Sequence, residues 1–465
     1  MGRAASAMSE LASKRVTVMG LGRFGGGIGV TRWLAEQGAR VVVTDLADAD
    51  GLAESLRRLA GLTLELHLGG HREADFADTD LVVASPAVPK DSPFLRLARD
   101  NGVPVSSEMN LFFQRCPGRI VGVTGSAGKS TTTAMIETVL GASVAGARAW
   151  VGGNIGRSLL SELAAMGADD LVVLELSSFQ LEDLGELRRS PQIAVITSLF
   201  ANHLDRHKTM QVYVEAKLNI ARFQDPGCDQ VLIYDADEQL AAAVGRLRGG
   251  LAGVWRYGVG PDGCCRVSRD EEVVDVPTPS LPVPGRHNLA NAAAAMAVGR
   301  LVGVDAAEAG RRLAGFEPLP HRLEPIGAVD GVRYYNDSKS TTPEATLVAL
   351  AAFDGPVVVL VGGYDKGVGF EQLGCELARR AKAVVCYGAT GPKIADAVRQ
   401  AGQDAGSQKT EVIEADGFET AVRAARGAAE VGDVVLLSPG CASYDMFVNY
   451  EQRGQQFRQI VESRG

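Results

Sequence analysis

Ten short runs rich in β-branched residues punctuate this chain, at Val16–Met19, Val41–Thr44, Leu81–Ala84, Ile120–Thr124, Leu171–Leu176, Ile193–Thr197, Val231–Tyr234, Val357–Val361, Ala383–Tyr387 and Val434–Ser438. Helix-length amphipathic or Ala-rich stretches separate them. Strands that alternate with helices fold as βαβ units, and βαβ units build parallel sheets, so the chain reads as an α/β protein. At 465 residues it is too long for one hydrophobic core, and at about 100–200 residues per domain it should hold roughly three. The pattern restarts at Val16, Ile120 and Val357, each time with a glycine-rich turn or a new motif. Boundaries near 113 and 318 give domains 1–113, 114–318 and 319–465. The second boundary follows the Ala-rich helix candidate Asn288–Val302 and the turn-rich Glu317–Pro320. Short β-like pieces between Arg256 and Pro284 predict a small side sheet in the middle domain.

Composition narrows the function. The 55 glycines are nearly twice ordinary usage, without a collagen-like period, which assigns them to tight turns and to loops where backbone approaches a ligand. A net charge of −9 excludes a general nucleic-acid binder, because phosphate-backbone affinity needs massed Lys and Arg. A small anionic ligand needs only local cations. Seven cysteines, odd in number and without a CxxC pair, specify neither a disulfide framework nor a zinc site. Met1–Lys14 lacks the apolar core of a signal peptide, and no run reaches the roughly 18 apolar residues of a membrane span. The expectation is a cytoplasmic protein with reduced thiols, without membrane insertion, and a monomer.

The sharpest motif is Thr124-Gly125-Ser126-Ala127-Gly128-Lys129-Ser130-Thr131, which directly follows one strand and precedes the helix-like Thr131–Leu140. Amides of such a glycine turn point at phosphate oxygens, Lys129 supplies a cation, and the hydroxyl of Ser130 or Thr131 can bind Mg²⁺. The longer GxxxxGK[ST] pattern fails at its first position, Val123, so this is a shortened loop. Glu175, within Leu174-Glu175-Leu176-Ser177-Ser178-Phe179-Gln180-Leu181, stands near the C-terminal end of a strand, where ligands of open sheets collect. His203, within Asn202-His203-Leu204-Asp205-Arg206-His207, follows the next strand, and a carboxylate and an imidazole at neighbouring strand ends can share one hard cation. Lys217 falls in a helix-like stretch. Near the N-terminus, Gly20-Leu21-Gly22-Arg23-Phe24-Gly25, with Asp45 beyond it, has the form of a dinucleotide fingerprint. His67, His71, Cys264 and Cys265 share no four-ligand spacing and are not read as a metal site.

The shortened loop resembles that of the Mur ligases, which usually carry Gly-Thr-Asn-Gly-Lys-[Ser/Thr]; here Ser126 and Ala127 replace Thr-Asn. The stretches around Glu175, His203 and Lys217 are similar to the D-glutamate-adding branch of that family. The resemblance continues in order through Val151–Gly156, Gly285–Asn291, Leu319–Arg322, Asn336–Thr341, Gly362–Gly367 and Leu437–Ser443, nearly the whole chain. It implies a Rossmann-like N-terminal domain, a central phosphate-loop ATPase-type domain and a Rossmann-like C-terminal domain. The implied activity is ATP-dependent joining of D-glutamate to UDP-N-acetylmuramoyl-L-alanine through an acyl phosphate, in peptidoglycan precursor synthesis.

By the same resemblance, ATP would meet Gly125 to Thr131 together with Asn288, Asn291, Arg322 and Asp337. The UDP-substrate would meet Gly22, Arg23, Phe24, Asp45, Ser85, Asn154, Gln180 and His203. D-glutamate would meet Lys339, Thr341, Lys366, Ser443 and Tyr450, the last standing where the family often has Phe. Lys129, Glu175, His203 and Lys217 would be catalytic. Two Mg²⁺ would be held by Ser130, Glu175, His203 and a carbamylated Lys217, since a neutral lysine amine can take up CO₂ and become an anionic ligand. On the residues alone three other readings stay open: an NAD-dependent dehydrogenase built on the N-terminal fingerprint, a phosphate-loop ATPase without ligase activity, and a sibling ligase adding another amino acid.

Overall fold

The computed structural model describes residues 10–463 apart from 23–24, 145, 201–202, 248–253, 270–271 and 405–409. Its strands form three sheets. The first holds β1 (Arg15–Met19), β2 (Arg40–Asp45), β3 (Glu65–Leu68), β4 (Leu81–Ala84) and β5 (Val105–Ser106), ordered β3-β2-β1-β4-β5 and parallel throughout. The second holds β6 (Arg119–Thr124), β7 (Ser143–Val144), β8 (Ala147–Gly153), β9 (Leu171–Glu175), β10 (Ile193–Ile196), β11 (Gln230–Tyr234), β12 (Val254–Val259), β13 (Cys265–Arg269) and β14 (Glu272–Val276). Their order is β14-β13-β12-β11-β10-β6-β9-β8-β7. The third holds β15 (Glu324–Val329), β16 (Val332–Asn336), β17 (Val357–Gly362), β18 (Ala383–Tyr387), β19 (Glu411–Ala415) and β20 (Val434–Leu437), ordered β15-β16-β20-β17-β18-β19 with only β15 antiparallel.

All ten expected runs are strands. The β pieces expected between Arg256 and Pro284 are also present, but they do not make a sheet of their own. β12 pairs in parallel with β11, and the hairpins β12–β13 and β13–β14 continue that ladder as the antiparallel margin of the second sheet. The free backbone edge of β11 is what β12 satisfies.

By compactness the chain forms two units, Met1–Pro277 with Asn291–Ala309, and Thr278–Ala290 with Gly310–Gly465. In the first, one apolar cluster runs from Val16, Val18, Val41 and Val43 through Phe112 to Val172, Leu174, Ala194, Ile196, Val231 and Ile233, so the first two sheets share a core. In the second unit the strand alternation sends Val357, Val359 and Val361 to one face and Val358 and Leu360 to the other. Both faces are covered, as a parallel sheet requires. The seven cysteines are free, and no described helix is long and apolar enough to cross a membrane.

Candidate active site

The order of the second sheet decides where its chemistry gathers. β6 lies between β10 and β9, so the chain leaves β6 at a topological switch point, where an open parallel sheet leaves a crevice beyond its strand ends. The loop that follows is shaped by two glycines with positive φ, Gly125 at 154° and Gly128 at 82°, and Gly128 caps the helix Lys129–Leu140. Side chains here would be refused by space as well: a Cβ on Gly125 would stand 1.9 Å from Thr197 Oγ1, and one on Gly128 2.8 Å from Asn291 Oδ1. Asn291 is fixed in turn by Thr132, whose Oγ1 lies 3.1 Å from its Oδ1. Lys129 Nζ donates to the carbonyls of Gly125 (2.8 Å) and Ser126 (3.3 Å). This strand, bare glycine turn and helix N-terminus make a phosphate cradle.

Two substituted positions are absorbed locally. The Ser126 hydroxyl donates to Phe200 O (2.8 Å), accepts from Phe200 N (2.9 Å) and lies 3.0 Å from Tyr213 Oη, which ties the cradle to the segment after β10 and to the helix Met210–Arg222. The Ala127 amide donates to Ser198 Oγ at 3.1 Å. Ser130 is buried beside them on the first turn of the phosphate-loop helix, next to half-buried Thr131.

Glu175 ends β9 and is only 2% exposed. Its Oε1 accepts from Asn154 Nδ2 at 2.7 Å, whereas its Oε2 is buried without a hydrogen-bond partner. A buried carboxylate oxygen left open is costly and fits a hard cation, the donor chemistry of Mg²⁺. Lys217, also 2% exposed, donates to Gly125 O (2.9 Å) and Thr124 Oγ1 (3.2 Å), with Nζ 4.9 Å from the centre of the Tyr213 ring. Burial drives its pKa well below the ordinary lysine value; the charge of Lys129 pushes the same way and that of Glu175 opposes. The amine at this position is thus biased toward its neutral form.

β9 and β10 are not neighbours. β6 separates them, so the phosphate loop, rather than a shared strand edge, stands between the Glu175 and His203 stretches. His203 is exposed, takes a left-handed φ of 53° and meets the Phe179 ring at 5.4 Å. The buried histidine is His207, four residues on and 3% exposed: its Nε2 is 2.9 Å from Ser178 Oγ and its Nδ1 3.3 Å from Glu182 Oε1. It stacks on Phe179 at 5.1 Å and meets Tyr213 edge-on at 5.3 Å. Arg206 lies over the Phe179 ring, 4.2 Å from its centroid, and donates to Ala87 O and Val88 O at 2.8 and 2.7 Å. Sequence reasoning singled out His203 and Lys217 but not His207 and Tyr213, each one helical turn away. That spacing was the available signal.

In the first sheet the chain leaves β1 at the β1/β4 switch point. Gly22 N donates to Asp45 Oδ2 (3.1 Å), and Asp45 Oδ1 accepts from Ala47 N (2.9 Å), so Asp45 braces the glycine turn. Arg23 and Phe24 lie outside the described residues. The helix Gly26–Glu36 needs its extra glycines: a Cβ on Gly27 would sit 2.2 Å from Leu21 O, and one on Gly25 2.4 Å from Gly156 O. Ser85 follows β4 and closes on Met19 O through its amide at 2.8 Å. Asn154 reaches this region only through its neighbours; its own amide group is on Glu175. Gln180 is a helix cap, its Oε1 accepting from Ser177 N at 2.9 Å. Glu108, which sequence reasoning passed over, accepts from Ser158 Oγ at 2.7 Å and is pushed up to about 7 by burial. His67 does meet two carboxylates, Asp75 at 2.6 Å and Glu65 at 3.2 Å, and Arg15 pairs with both; His71 instead joins an aromatic group with Phe76 and Phe94.

The remaining expected residues belong to the second unit. Asn288 is buried, with Nδ2 donating to Pro284 O at 2.6 Å. Asp337 is buried after β16, accepting from Leu323 N (3.2 Å) and Ser438 Oγ (2.8 Å); burial pushes its pKa up to about 6, against the pull of those bonds and of the Arg322 charge. Because β16, β17 and β20 are parallel, their following loops meet at one edge and bring along Lys339 and Thr341, Lys366, and Ser443. Lys339 Nζ lies 5.3 Å over the ring of Tyr450, which opens the helix Tyr450–Glu462; Lys366 is exposed and Ser443 buried.

Fold and site together define a phosphate-loop α/β protein whose nucleotide cradle adjoins a buried carboxylate and a buried lysine. The chain matches the Mur ligase MurD-like N-terminal domain over residues 14–107, the Mur ligase middle domain over 123–299 and the Mur ligase glutamate ligase domain over 321–441. It is 43% identical over 473 residues to the UDP-N-acetylmuramoylalanine–D-glutamate ligase of Roseiflexus sp. (strain RS-1), covering 98% of this chain and 99% of that one. It is 39% identical over 471 residues, with 98% and 99% covered, to the protein of the same name from Pelotomaculum thermopropionicum. Among solved structures it is similar in fold to the UDP-N-acetylmuramate–alanine ligase of Thermotoga maritima (TM-score 0.60, 20% identity, 97% and 99% covered). A MurF ligase of the same organism in complex with ADP is also similar (TM-score 0.58, 19% identity, 98% and 97% covered). The chain belongs to the Mur ligase family, and is an ATP-dependent ligase.

Proposed function

We propose that this protein joins D-glutamate to UDP-N-acetylmuramoyl-L-alanine, as a cytoplasmic monomer in peptidoglycan precursor synthesis. The observation that carries the reading is the gathering at the end of β6 of a phosphate cradle, a buried Glu175 with one open oxygen, and a buried Lys217 biased toward neutrality. Full-length relatives that bear the name of this activity support the choice of substrates.

In the first step a carboxylate oxygen of the L-alanyl end attacks the γ-phosphorus of ATP, and the bond to ADP breaks. In the second, the D-glutamate nitrogen attacks the resulting acyl phosphate, loses a proton and expels phosphate. The obstacle to the first step is anion crowding, since a carboxylate must approach a triphosphate. Lys129 and the amides of the cradle offset that crowding as charge builds on the transferring group. Ser130, Glu175 and His203 would hold Mg²⁺, and Lys217 as a carbamate would complete a second Mg²⁺ site. Bound there, the cations would neutralise phosphate charge and polarise the acyl group. Asn288, Asn291, Arg322 and Asp337 would seat the nucleotide. Domain 1–113, through Gly22 and Asp45, would take the diphosphate of the UDP-sugar, domain 114–318 the nucleotide, and domain 319–465 the amino acid, through Lys339, Thr341, Lys366, Ser443 and Tyr450.

The test is phosphate release with ATP and Mg²⁺, supplying UDP-N-acetylmuramoyl-L-alanine and comparing D-glutamate with L-glutamate, L-lysine and no amino acid. Release that needs both the acceptor and D-glutamate is expected. Release with another amino acid would move the chain to a different branch of the family, and release indifferent to all of them would remove the ligase reading.

A further inference from the structure

Arg453 is the largest fully buried side chain of the described protein, 0% exposed in the helix Tyr450–Glu462. A buried guanidinium ordinarily pairs with a carboxylate, because taking an isolated charge out of water is expensive. Arg453 has no carboxylate in hydrogen-bond contact among the described residues. Its bonds go instead to two loops: Nε to Ser338 Oγ (3.0 Å), Nη2 to Ser338 O (2.8 Å) and Nη1 to Cys441 O (3.1 Å). Ser338 Oγ donates in turn to Tyr450 O at 2.7 Å. A Cβ on Gly363 would stand 3.3 Å from Arg453 Nη1, so the loop after β17 touches the same group. The planar fork therefore links the loop after β16, the loop after β20 and the start of the last helix, and a third loop closes on it.

These segments carry Lys339, Thr341, Ser443, Tyr450 and Lys366, the residues proposed above to receive the amino acid. We propose that Arg453 is the positioning residue of the amino-acid site: its fork fixes the spacing of the Ser338–Thr341 and Cys441–Ser443 loops, and its charge, which no described carboxylate meets in a hydrogen bond, lies behind them, where it favours a dicarboxylate. Fully buried, it does not itself touch the substrate. The inference rests on the proposed function for the place of the amino-acid site and for the identity of that dicarboxylate.

Arg453→Lys keeps the charge and loses the fork, which a lysine cannot reproduce. Because a displacement of about 1 Å in a positioning element can cost on the order of a hundredfold, the KM for D-glutamate should rise by about tenfold to a hundredfold. The KM values for ATP and the UDP-sugar should stay near wild type, and so should acyl-phosphate formation, trapped with hydroxylamine in the absence of any amino acid. Ser338→Ala removes one bond of the fork and the link to Tyr450, and should move the KM for D-glutamate the same way by a smaller factor. This second variant answers the question if Arg453→Lys does not fold. An unchanged D-glutamate KM in the folded variants overturns the proposal, as does an equal loss in the trapping assay, which marks a general structural role. Should the wild type use a different amino acid, the functional reading falls on that result alone, and a selective rise in that amino acid's KM would still uphold Arg453.

Discussion

Glu175→Gln is expected to separate stability from function, and the structure sets both sizes. Glu175 Oε1 accepts from Asn154, and glutamine retains that bond through its carbonyl oxygen. The other oxygen is buried without a partner, so the wild type carries an unsatisfied carboxylate oxygen and the variant an unsatisfied neutral amide. An unpartnered buried neutral group costs about 1–3 kcal/mol, and a charged one more. The variant loses the cost of that charged oxygen but also the charge that offsets part of the Lys129–Lys217 repulsion, so without metal it should stay within about 2 kcal/mol of the wild type. With Mn²⁺ at about a hundredfold its dissociation constant, the wild type alone gains about 2.7 kcal/mol, which for a domain of this size is roughly a 5–10 °C rise in Tm. Adding metal should thus raise the wild-type curve and leave that of the variant in place. Ligase turnover of the variant should fall by at least about a hundredfold, the scale of losing one element of electrostatic stabilisation. Thermal melts with and without metal, beside phosphate release, make the measurement. A variant more than about 2 kcal/mol less stable without metal, or one that keeps the metal-induced shift, would show that Oε2 is not waiting for a cation.

Three further outcomes follow from the same geometry. Burial and Lys129 hold the Lys217 pKa down, and only the neutral amine reacts with CO₂, so lowering the pH should release CO₂ and make turnover increasingly dependent on added bicarbonate; carbon-13 bicarbonate should give a carbamate signal lost in Lys217→Arg, and a pH profile indifferent to bicarbonate would count against the modification. Asp337, pushed up to about 6, binds its proton more tightly in the folded chain than in the unfolded one. Its contribution to stability is therefore full below the unfolded value near 3.9 and is lost as pH rises through about 6, roughly 3 kcal/mol in all, and Asp337→Asn should flatten urea midpoints across that window. Gly27→Ala drives a Cβ to 2.2 Å from Leu21 O and 2.8 Å from Gly20 O, both backbone, so the turn must open; the KM for the UDP-sugar should rise about tenfold or more while that for ATP holds, and equal KM values would detach this turn from the diphosphate.

What the sequence revealed of the fold was set by which strands lie inside their sheets. The expected runs are mainly interior strands such as β6, β10, β17 and β20, apolar at nearly every residue because neighbouring layers cover both faces. The strands that escaped notice are mostly marginal or mixed in polarity. β3 is Glu-Leu-His-Leu with neither face fully buried, β19 is Glu-Val-Ile-Glu-Ala at an edge, and β16, though interior, alternates buried Val332 and Tyr334 with exposed Arg333 and partly exposed Tyr335. The site divides in the same way. The phosphate loop was legible because its residues are consecutive and its geometry is local. Tyr213, Arg206 and Arg453 were not, because each acts through partners far away in sequence: Ser126, Ala87 and Ser338 respectively. The expectation of β9 and β10 as neighbours failed on sheet order, which crossover connections set and local pattern does not encode.

The two lysines of the cradle give this site a physical reason to favour anions. Lys129 and Lys217 both donate to Gly125 O, at 2.8 and 2.9 Å, which puts their nitrogens less than about 6 Å apart. At an effective dielectric near 20, two unit charges at that separation repel by roughly 3 kcal/mol, and burial of Lys217 adds to the cost. Glu175 offsets part of it, which is why it pulls the Lys217 pKa back up. Three changes relieve the rest: a phosphate on the loop that takes the charge of Lys129, loss of a proton from Lys217, or conversion of Lys217 to a carbamate. The third does most, because it turns a repulsion into an attraction and adds a second anion beside the open oxygen of Glu175. A cation would then hold Glu175 and such a carbamate together. On the proposed reading, nucleotide phosphate, a Lys217 carbamate and a metal would stabilise one another, because each would relieve the repulsion between the two lysines.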